Sequence, residues 1–192
     1  MPLQPAANNM LEAMKRQITR EEMEELIIAV REKVPGICLR TTLIAGFPGE
    51  TEPDFEATVA LVREVQFDQA FIFKYSPRKD TPAATLPDPL PLEVRAERNH
   101  CLLELMNEVG GRKYRNDVGR QVEILVEGPS KKNPARLMGR TRSNKIVVFE
   151  GADRHRGQIM NLKITRAGSF TLYGDLALAN ERSGVVSRDI AR

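Results

Sequence analysis

Residues 42–55 read Thr42-Leu43-Ile44-Ala45-Gly46-Phe47-Pro48-Gly49-Glu50-Thr51-Glu52-Pro53-Asp54-Phe55, and this stretch decides the fold of the first half of the chain. Its apolar start belongs to a run from Ile37 to Ala45 that is rich in β-branched residues, the pattern of a strand buried on both faces of a parallel sheet. Gly46 to Thr51 is a tight turn, and Thr51 with Asp54 forms the cap of a helix. That helix carries Phe55, Val59 and Val62 on one face. A second strand pattern runs from about Gln69 to Lys74, so the rhythm predicts right-handed βαβ units.

The same alternation extends upstream. Asn8 to Arg16 reads as a helix with Met10, Leu11 and Met14 on one face. Thr19-Arg20-Glu21-Glu22 is a capping box, and the helix it opens bears Met23, Leu26, Ile27 and Val30 at helical spacing before Pro35-Gly36. Downstream, Pro77, Pro82, Pro87, Pro89 and Pro91 exclude helix and central strand, which leaves an extended linker or site loop. A long helix follows from about Leu92 to Asn116, with Leu102, Leu105, Met106 and Val109 as its stripe. Gly110-Gly111 inside it costs roughly 1 kcal/mol per glycine against alanine, so a kink or break is expected there.

From Gly119 onward the pattern changes to five short strands, at 121–127, 137–141, 145–149, 157–165 and 169–176. Their Gly, Pro and Asn turns predict a small closed or nearly closed barrel. The fold class is therefore α/β, with expected units at 1–116 (the βα part with its long connecting helix), 117–176 (the β-barrel) and 177–192 (a polar tail).

Composition narrows the function classes. With 41% hydrophobic and 29% charged residues the 192-residue chain is an ordinary globular protein. No apolar run reaches the roughly 20 residues needed to cross a bilayer, and the N-terminus shows no secretion signal. The expected address is cytoplasmic, with no membrane partner. Charge is uneven: between Asp117 and Asp175, 11 Lys and Arg face 6 Asp and Glu, although the whole chain carries only +3. A basic C-terminal unit points to nucleic acid, although many small β-domains are mildly basic for solubility alone.

Three stretches together resemble the methylthiotransferase family of radical-SAM enzymes. Thr42 to Thr51, followed by Asp54-Phe55, is similar to the family's strand–GFPGET–helix element. Phe73-Lys74-Tyr75-Ser76-Pro77-Arg78, then Thr81-Pro82-Ala83, is similar to its YSPRxGTPA loop. Glu127 to Pro134 and Leu137 to Lys145 (GPSKKNP and GRTRSNK) resemble the family's TRAM domain, and point to the branch acting on isopentenyladenosine in tRNA. Met1-Pro2-Leu3-Gln4 resembles the family's MPLQSGS strand end, with Pro5-Ala6-Ala7 in place of Ser-Gly-Ser, so the chain is expected to start within a strand. The resemblance covers about 1–176.

What the resemblance implies is specific. The fold would be part of a radical-SAM (βα) barrel followed by a five-stranded, OB-like TRAM barrel. The cofactors of the complete family enzyme would be S-adenosyl-L-methionine and two 4Fe-4S clusters. The partner would be the anticodon stem-loop of a tRNA, alongside the N-terminal half of the enzyme where it exists; the chain itself is expected to be a monomer. Gln4, Gly46, Phe47, Gly49, Tyr75, Ser76 and Arg78 fall on the side where the family binds SAM. Phe47 is the candidate wall, and Glu50 is expected only to cap a helix. On residues alone, the 46–51 turn reads equally well as a capped strand–helix junction without a ligand.

Cluster chemistry is another matter. A radical-SAM cluster needs three thiolates in a CxxxCxxC loop, and this chain has Cys38 and Cys101 only. Both read as buried or half-buried thiols, and His100 and His155 as solvent-facing. The chain alone is expected to be inactive, with no catalytic or metal-binding residue of its own. Lys131, Lys132, Arg136, Arg140, Arg142, Asn144 and Lys145 are the candidate RNA contacts, expected to share one rim of the barrel. Phe149, Phe170 and Tyr173 are the scarce stacking candidates. At least two are expected to fill the core, which favours recognition by shape and phosphate over base stacking. Rival readings are a methylthiotransferase for threonylcarbamoyl-adenosine tRNA or a ribosomal protein, and a stand-alone RNA-binding module.

Overall fold

A computed structural model describes residues 3–87 and 89–177. The predicted tail from 178 onward and the first two residues of the predicted opening strand lie outside the described residues. The elements are α1 (Asn8–Ala13), α2 (Arg20–Lys33), β1 (Arg40–Ala45), α3 (Glu52–Val65), β2 (Gln69–Lys74), α4 (Leu92–Arg115), and five further strands, β3 (Gln121–Pro129), β4 (Leu137–Thr141), β5 (Ile146–Phe149), β6 (Ile159–Ala167) and β7 (Leu172–Leu176).

Local chemistry sets the helix starts. Thr19 and Thr51 each accept from the backbone N–H three residues on, while Glu22 and Asp54 accept from the cap residues' own N–H groups, completing two capping boxes. α1 ends earlier than predicted because Lys15 adopts a left-handed φ of 57°. The proline-rich crossing is not fully extended: Pro82–Thr85 forms a 3-10 turn, a position where proline's missing N–H costs nothing.

β1 and β2 are parallel, in register from Arg40 opposite Gln69 to Ala45 opposite Lys74. The backbone of Leu3 and Gln4 lies along the other edge of β1, where Gln4 N–H donates to Thr42 O at 3.0 Å. Period-2 alternation sends Thr41, Leu43 and Ala45 to the buried, helix-covered side. The opposite face stays open, with Phe71 54% and Phe73 53% exposed. Among the described residues these strands form an open two-stranded sheet, so a closed (βα) barrel is absent. Pro5 and Ala6 turn into the core, and Ala6 N–H donates to Thr58 Oγ1 at 3.0 Å. That burial accounts for apolar residues at this point.

The expected break at Gly110-Gly111 does not occur; α4 is continuous through both. The pair permits close packing instead. A Cβ on Gly110 would lie 2.9 Å from Phe170 Cε1 and 3.0 Å from the Ser169 carbonyl, so the missing methyl lets the β6–β7 turn rest on the helix. α4 therefore belongs to two cores. Leu102, Leu105, Met106 and Val109 pack with Leu43, Leu61 and Val62, while Tyr114, one turn on, packs with the interior of the barrel.

β3 to β7 close into a five-stranded barrel in the order β3-β4-β5-β7-β6, with β5 and β7 parallel and the other neighbours antiparallel. Ile124, Val126, Leu137, Val147, Phe149, Leu162, Ile164 and Leu172 fill it. The expectation that two of its three stacking aromatics would be interior is corrected. Only Phe149 is buried; Phe170 sits against Gly110 of the helix, and Tyr173 is on the outer face because alternation along β7 turns Leu172 and Gly174 inward. Cys101 is exposed rather than buried, Cys38 is half-buried, and His155 is half-buried with Nδ1 accepting from Ala152 N–H.

Candidate functional site

Two clefts collect the residues singled out by the sequence. The first, of about 460 Å³, opens at the C-terminal ends of β1 and β2 and is lined in part by Gln4, Ile44, Phe47 and Tyr75. Its shape comes from the 46–50 turn. Gly46 (φ 76°) reverses the chain and Glu50 N–H closes the turn onto Phe47 O at 3.0 Å. Phe47 then meets Tyr75 edge to face at 5.1 Å, an arrangement that both rings favour. Tyr75 is held at three points: its N–H donates to Ala45 O, its hydroxyl donates to Ala83 O, and its carbonyl accepts from Arg95 Nη1.

Gln4 is the buried amide of this cleft, whose lining also includes Lys15, Arg16 and Thr81. It is 5% exposed, has a left-handed φ of 61°, and its Oε1 has no hydrogen-bond partner. A strained, buried and unsatisfied amide is a departure from ordinary packing that calls for a ligand donor. Thus Gln4, Phe47 and Tyr75 come together. Gly46 and Gly49 shape the turn without lining the cleft, and Ser76 and Arg78 are exposed and stand outside the lining.

Beneath the turn lies a pair that the sequence did not disclose. Glu50 is buried, with Oε2 accepting from Gly46 N–H at 2.7 Å and from Arg98 Nη1 at 2.9 Å. Its expected role as a helix cap falls to Thr51 and Asp54. Burial pushes the Glu50 carboxyl above its ordinary range despite the hydrogen bonds that oppose it. For Arg98 the balance reverses: burial is outweighed by Glu50 and Glu52, which raise its pKa. Arg95 supports the same turn from below, its Cγ standing 2.3 Å from where a Gly46 Cβ would be. Neither arginine carries a motif that could have flagged it.

The second cleft, of about 440 Å³, lies on the outer face of the barrel. Met138 on β4, Val148 on β5 and Tyr173 on β7 are aligned across three adjacent strands, and all three line it. Lys131, Lys132, Arg136 and Arg140 border that apolar floor. The expected single rim is therefore split. Arg142 and Asn144 line a separate groove with residues 34–38 and Arg40, and Lys145 turns inward. Lys145 Nζ pairs with Asp117 Oδ2 at 2.6 Å and lies 5.0 Å from the Tyr114 ring.

Pairing also distinguishes the cations. Arg136, Arg140 and Arg142 bond to Glu150, Glu127 and Glu123, whereas among the described residues Lys131 and Lys132 have no ion-pair partner. Those two lysines are open to a phosphate. Among the described residues no three His, Cys, Asp or Glu gather in a group that could hold a metal ion. Burial raises the Cys38 thiol above its ordinary range. Among the described residues no helix is long and apolar enough to cross a membrane.

Comparison with known proteins covers both clefts. Residues 115–177 match the TRAM domain family. Over 176 residues, 92% of the chain, it is 48% identical to a tRNA-2-methylthio-N(6)-dimethylallyladenosine synthase of Moorella thermoacetica, covering 40% of that protein. It is 46% identical over 92% of its length to the synthase of the same name from Anoxybacillus flavithermus, covering 33% of it. For Clostridium novyi the figures are 45%, 91% and 38%. The chain thus spans between a third and two fifths of these relatives.

Proposed function

We propose that the chain, 46–48% identical to tRNA-2-methylthio-N(6)-dimethylallyladenosine synthases and matching the TRAM domain family at 115–177, supplies the tRNA grip and part of the catalytic wall of such an enzyme. The reaction served is conversion of N6-isopentenyladenosine beside the anticodon to its 2-methylthio derivative, by radical-SAM chemistry. The observation that carries this reading is the outer-face cleft of the barrel, with Lys131 and Lys132 unpaired at its border.

The βα part contributes differently. The β1–α3–β2 unit is read as a section of a (βα) barrel whose open face, with Phe71 and Phe73, would look into the lumen. The chemistry of barrel enzymes sits at the C-terminal ends of the strands, where Gln4, Phe47 and Tyr75 lie. An apolar, aromatic cleft with one unsatisfied amide oxygen suits a heterocycle bearing an N–H or hydroxyl donor, and the adenosyl part of SAM has both. The 4Fe-4S clusters do not fit this chain: its two cysteines, one half-buried and one exposed, are fewer than the three thiolates a cluster needs. The chain by itself is expected to show no turnover.

A salt titration tests the grip. The full chain is mixed with an isopentenylated anticodon stem-loop and with an unrelated duplex RNA. Tighter binding of the stem-loop is expected, with log K falling against log salt by about 0.7–0.9 per phosphate contacted. Absence of binding, or equal weak binding to both, would overturn the reading.

A further inference from the structure

We propose that the outer-face cleft of the barrel is a pocket for a single unpaired nucleotide, whose base stacks on Tyr173 while its phosphate meets Lys131 and Lys132. This rests on the RNA-binding reading above and adds to it a mode of recognition that the scarcity of aromatics had argued against.

Three observations carry it. First, the floor is apolar where a phosphate site alone would not need it. Met138, Val148 and Tyr173 stand in one row across β4, β5 and β7, with Ile146 in the next row beside Arg140. A floor of this kind in a cleft of about 440 Å³ is of the size and polarity that bury a small flat ligand. Second, Tyr173 is already stacked on one side: Arg166 Cζ lies 3.8 Å from its ring centroid. Tyr173 lines both this cleft and the neighbouring one, whereas Arg166 borders only the neighbouring one, which leaves the nucleotide cleft clear of that guanidinium. The cation holds the ring in place and is itself a donor to a passing backbone. Third, the charges stand at the border. Lys131, Lys132 and Arg136 lie in the connection between β3 and β4, and Arg140 lies on β4, so a base on the floor has the two unpaired lysines at the edge of its cleft to meet its phosphate.

Duplex RNA cannot use such a floor, because its bases are already stacked on one another. Unpaired nucleotides can, and stacking tolerates any base. A loop rather than a stem is the chemistry that fits.

The test uses the full chain, a single-stranded RNA oligonucleotide carrying one 2-aminopurine, and a duplex RNA of equal length. Wild-type chain is expected to bind the single strand more tightly and to quench the 2-aminopurine. Tyr173→Leu, which keeps the bulk and removes the ring, should weaken single-strand binding about 5- to 150-fold, the range of one base stack. Duplex binding should be unchanged, which also shows that the barrel has folded, and Tyr173→Phe should restore both affinity and quenching. Unchanged single-strand binding by Tyr173→Leu, or an equal loss for both RNAs, overturns the pocket while leaving the RNA grip standing. The grip is read separately: replacing Lys131 and Lys132 by alanine should reduce the salt slope for both RNAs by about one per cation lost. A wild-type chain that binds neither RNA would sink the grip and the pocket together.

Discussion

Arg98 reaches across from α4 to the 46–50 turn, its Nη1 donating to Glu50 Oε2 at 2.9 Å, and only 8% of the arginine side chain and 1% of the glutamate remain exposed. The glutamate in turn holds Gly46 N–H. The strand–turn–helix element is thus fastened to the long helix by one buried charge pair, with Glu52 as a second, exposed acceptor for Arg98 Nη2.

Removing one partner strands the other. Arg98→Ala is expected to destabilise the folded chain by about 3–5 kcal/mol near neutral pH, because it leaves the Glu50 carboxylate buried without a counter-charge. Urea denaturation measures this. A loss below about 1 kcal/mol would mean that the pair is solvated.

The pH dependence of the same pair has a definite sign. Glu50 has a folded pKa above its unfolded value, so the folded state holds the proton more tightly. Its contribution to stability is fully present below the unfolded pKa of about 4.5 and is lost as pH rises through the raised folded value. The stability of the wild type relative to Glu50→Gln should therefore fall with rising pH across that window. A difference that grows with pH would show that Arg98 outweighs burial.

The two helix glycines should respond in opposite ways. In an exposed helix either replacement by alanine would gain roughly 1 kcal/mol. Gly111→Ala should do so, since its Cβ would meet the far end of the Arg115 side chain at 3.4 Å and Ser169 only at an ordinary contact distance of 3.9 Å. Gly110→Ala should lower the melting temperature, because its methyl strikes the Phe170 ring and the Ser169 carbonyl. Similar shifts for the two would remove the close-packing account of this pair.

The boundary of the barrel can be tested by trimming. Tyr114 is 1% exposed among barrel residues, its ring 6.4 Å from Phe170, and burial pushes its phenol up to about 12. A fragment of residues 117–176, the barrel unit expected from the sequence, lacks it; one beginning at 106 keeps the last helical turns. The longer fragment should melt cooperatively at a clearly higher temperature, since deleting a buried aromatic costs about 3–5 kcal/mol. Equal melting points would show that Tyr114 is dispensable.

Legibility followed the range of the interactions. The capping boxes at Thr19 and Thr51 are local patterns four residues long and appear where the spacing put them, while the βαβ rhythm and the five strands appear with bounds shifted by up to about three residues. Gln4, Phe47 and Tyr75, which the motif resemblance put on one side, do line one cleft. What stayed hidden depends on partners far along the chain. Nothing near Arg98 announces Glu50, 48 residues away, and nothing near Gly110 announces Phe170. The single basic rim failed for a related reason: residues 131–145 are close in sequence, but the β4–β5 hairpin turns Lys145 toward Asp117 and leaves Lys131 on another side.

The strand order of the barrel also bears on how the protein is made. β7 sits between β5 and β6 and runs parallel to β5. Until residues 172–176 leave the ribosome, β5 and β6 each present a bare edge, and the sheet cannot become a cylinder. At a synthesis rate of roughly 5–20 residues per second that interval is short, but it falls at the very end of the domain. Anything that slows translation over those last codons lengthens the time in which two unpaired strands are offered to other nascent chains.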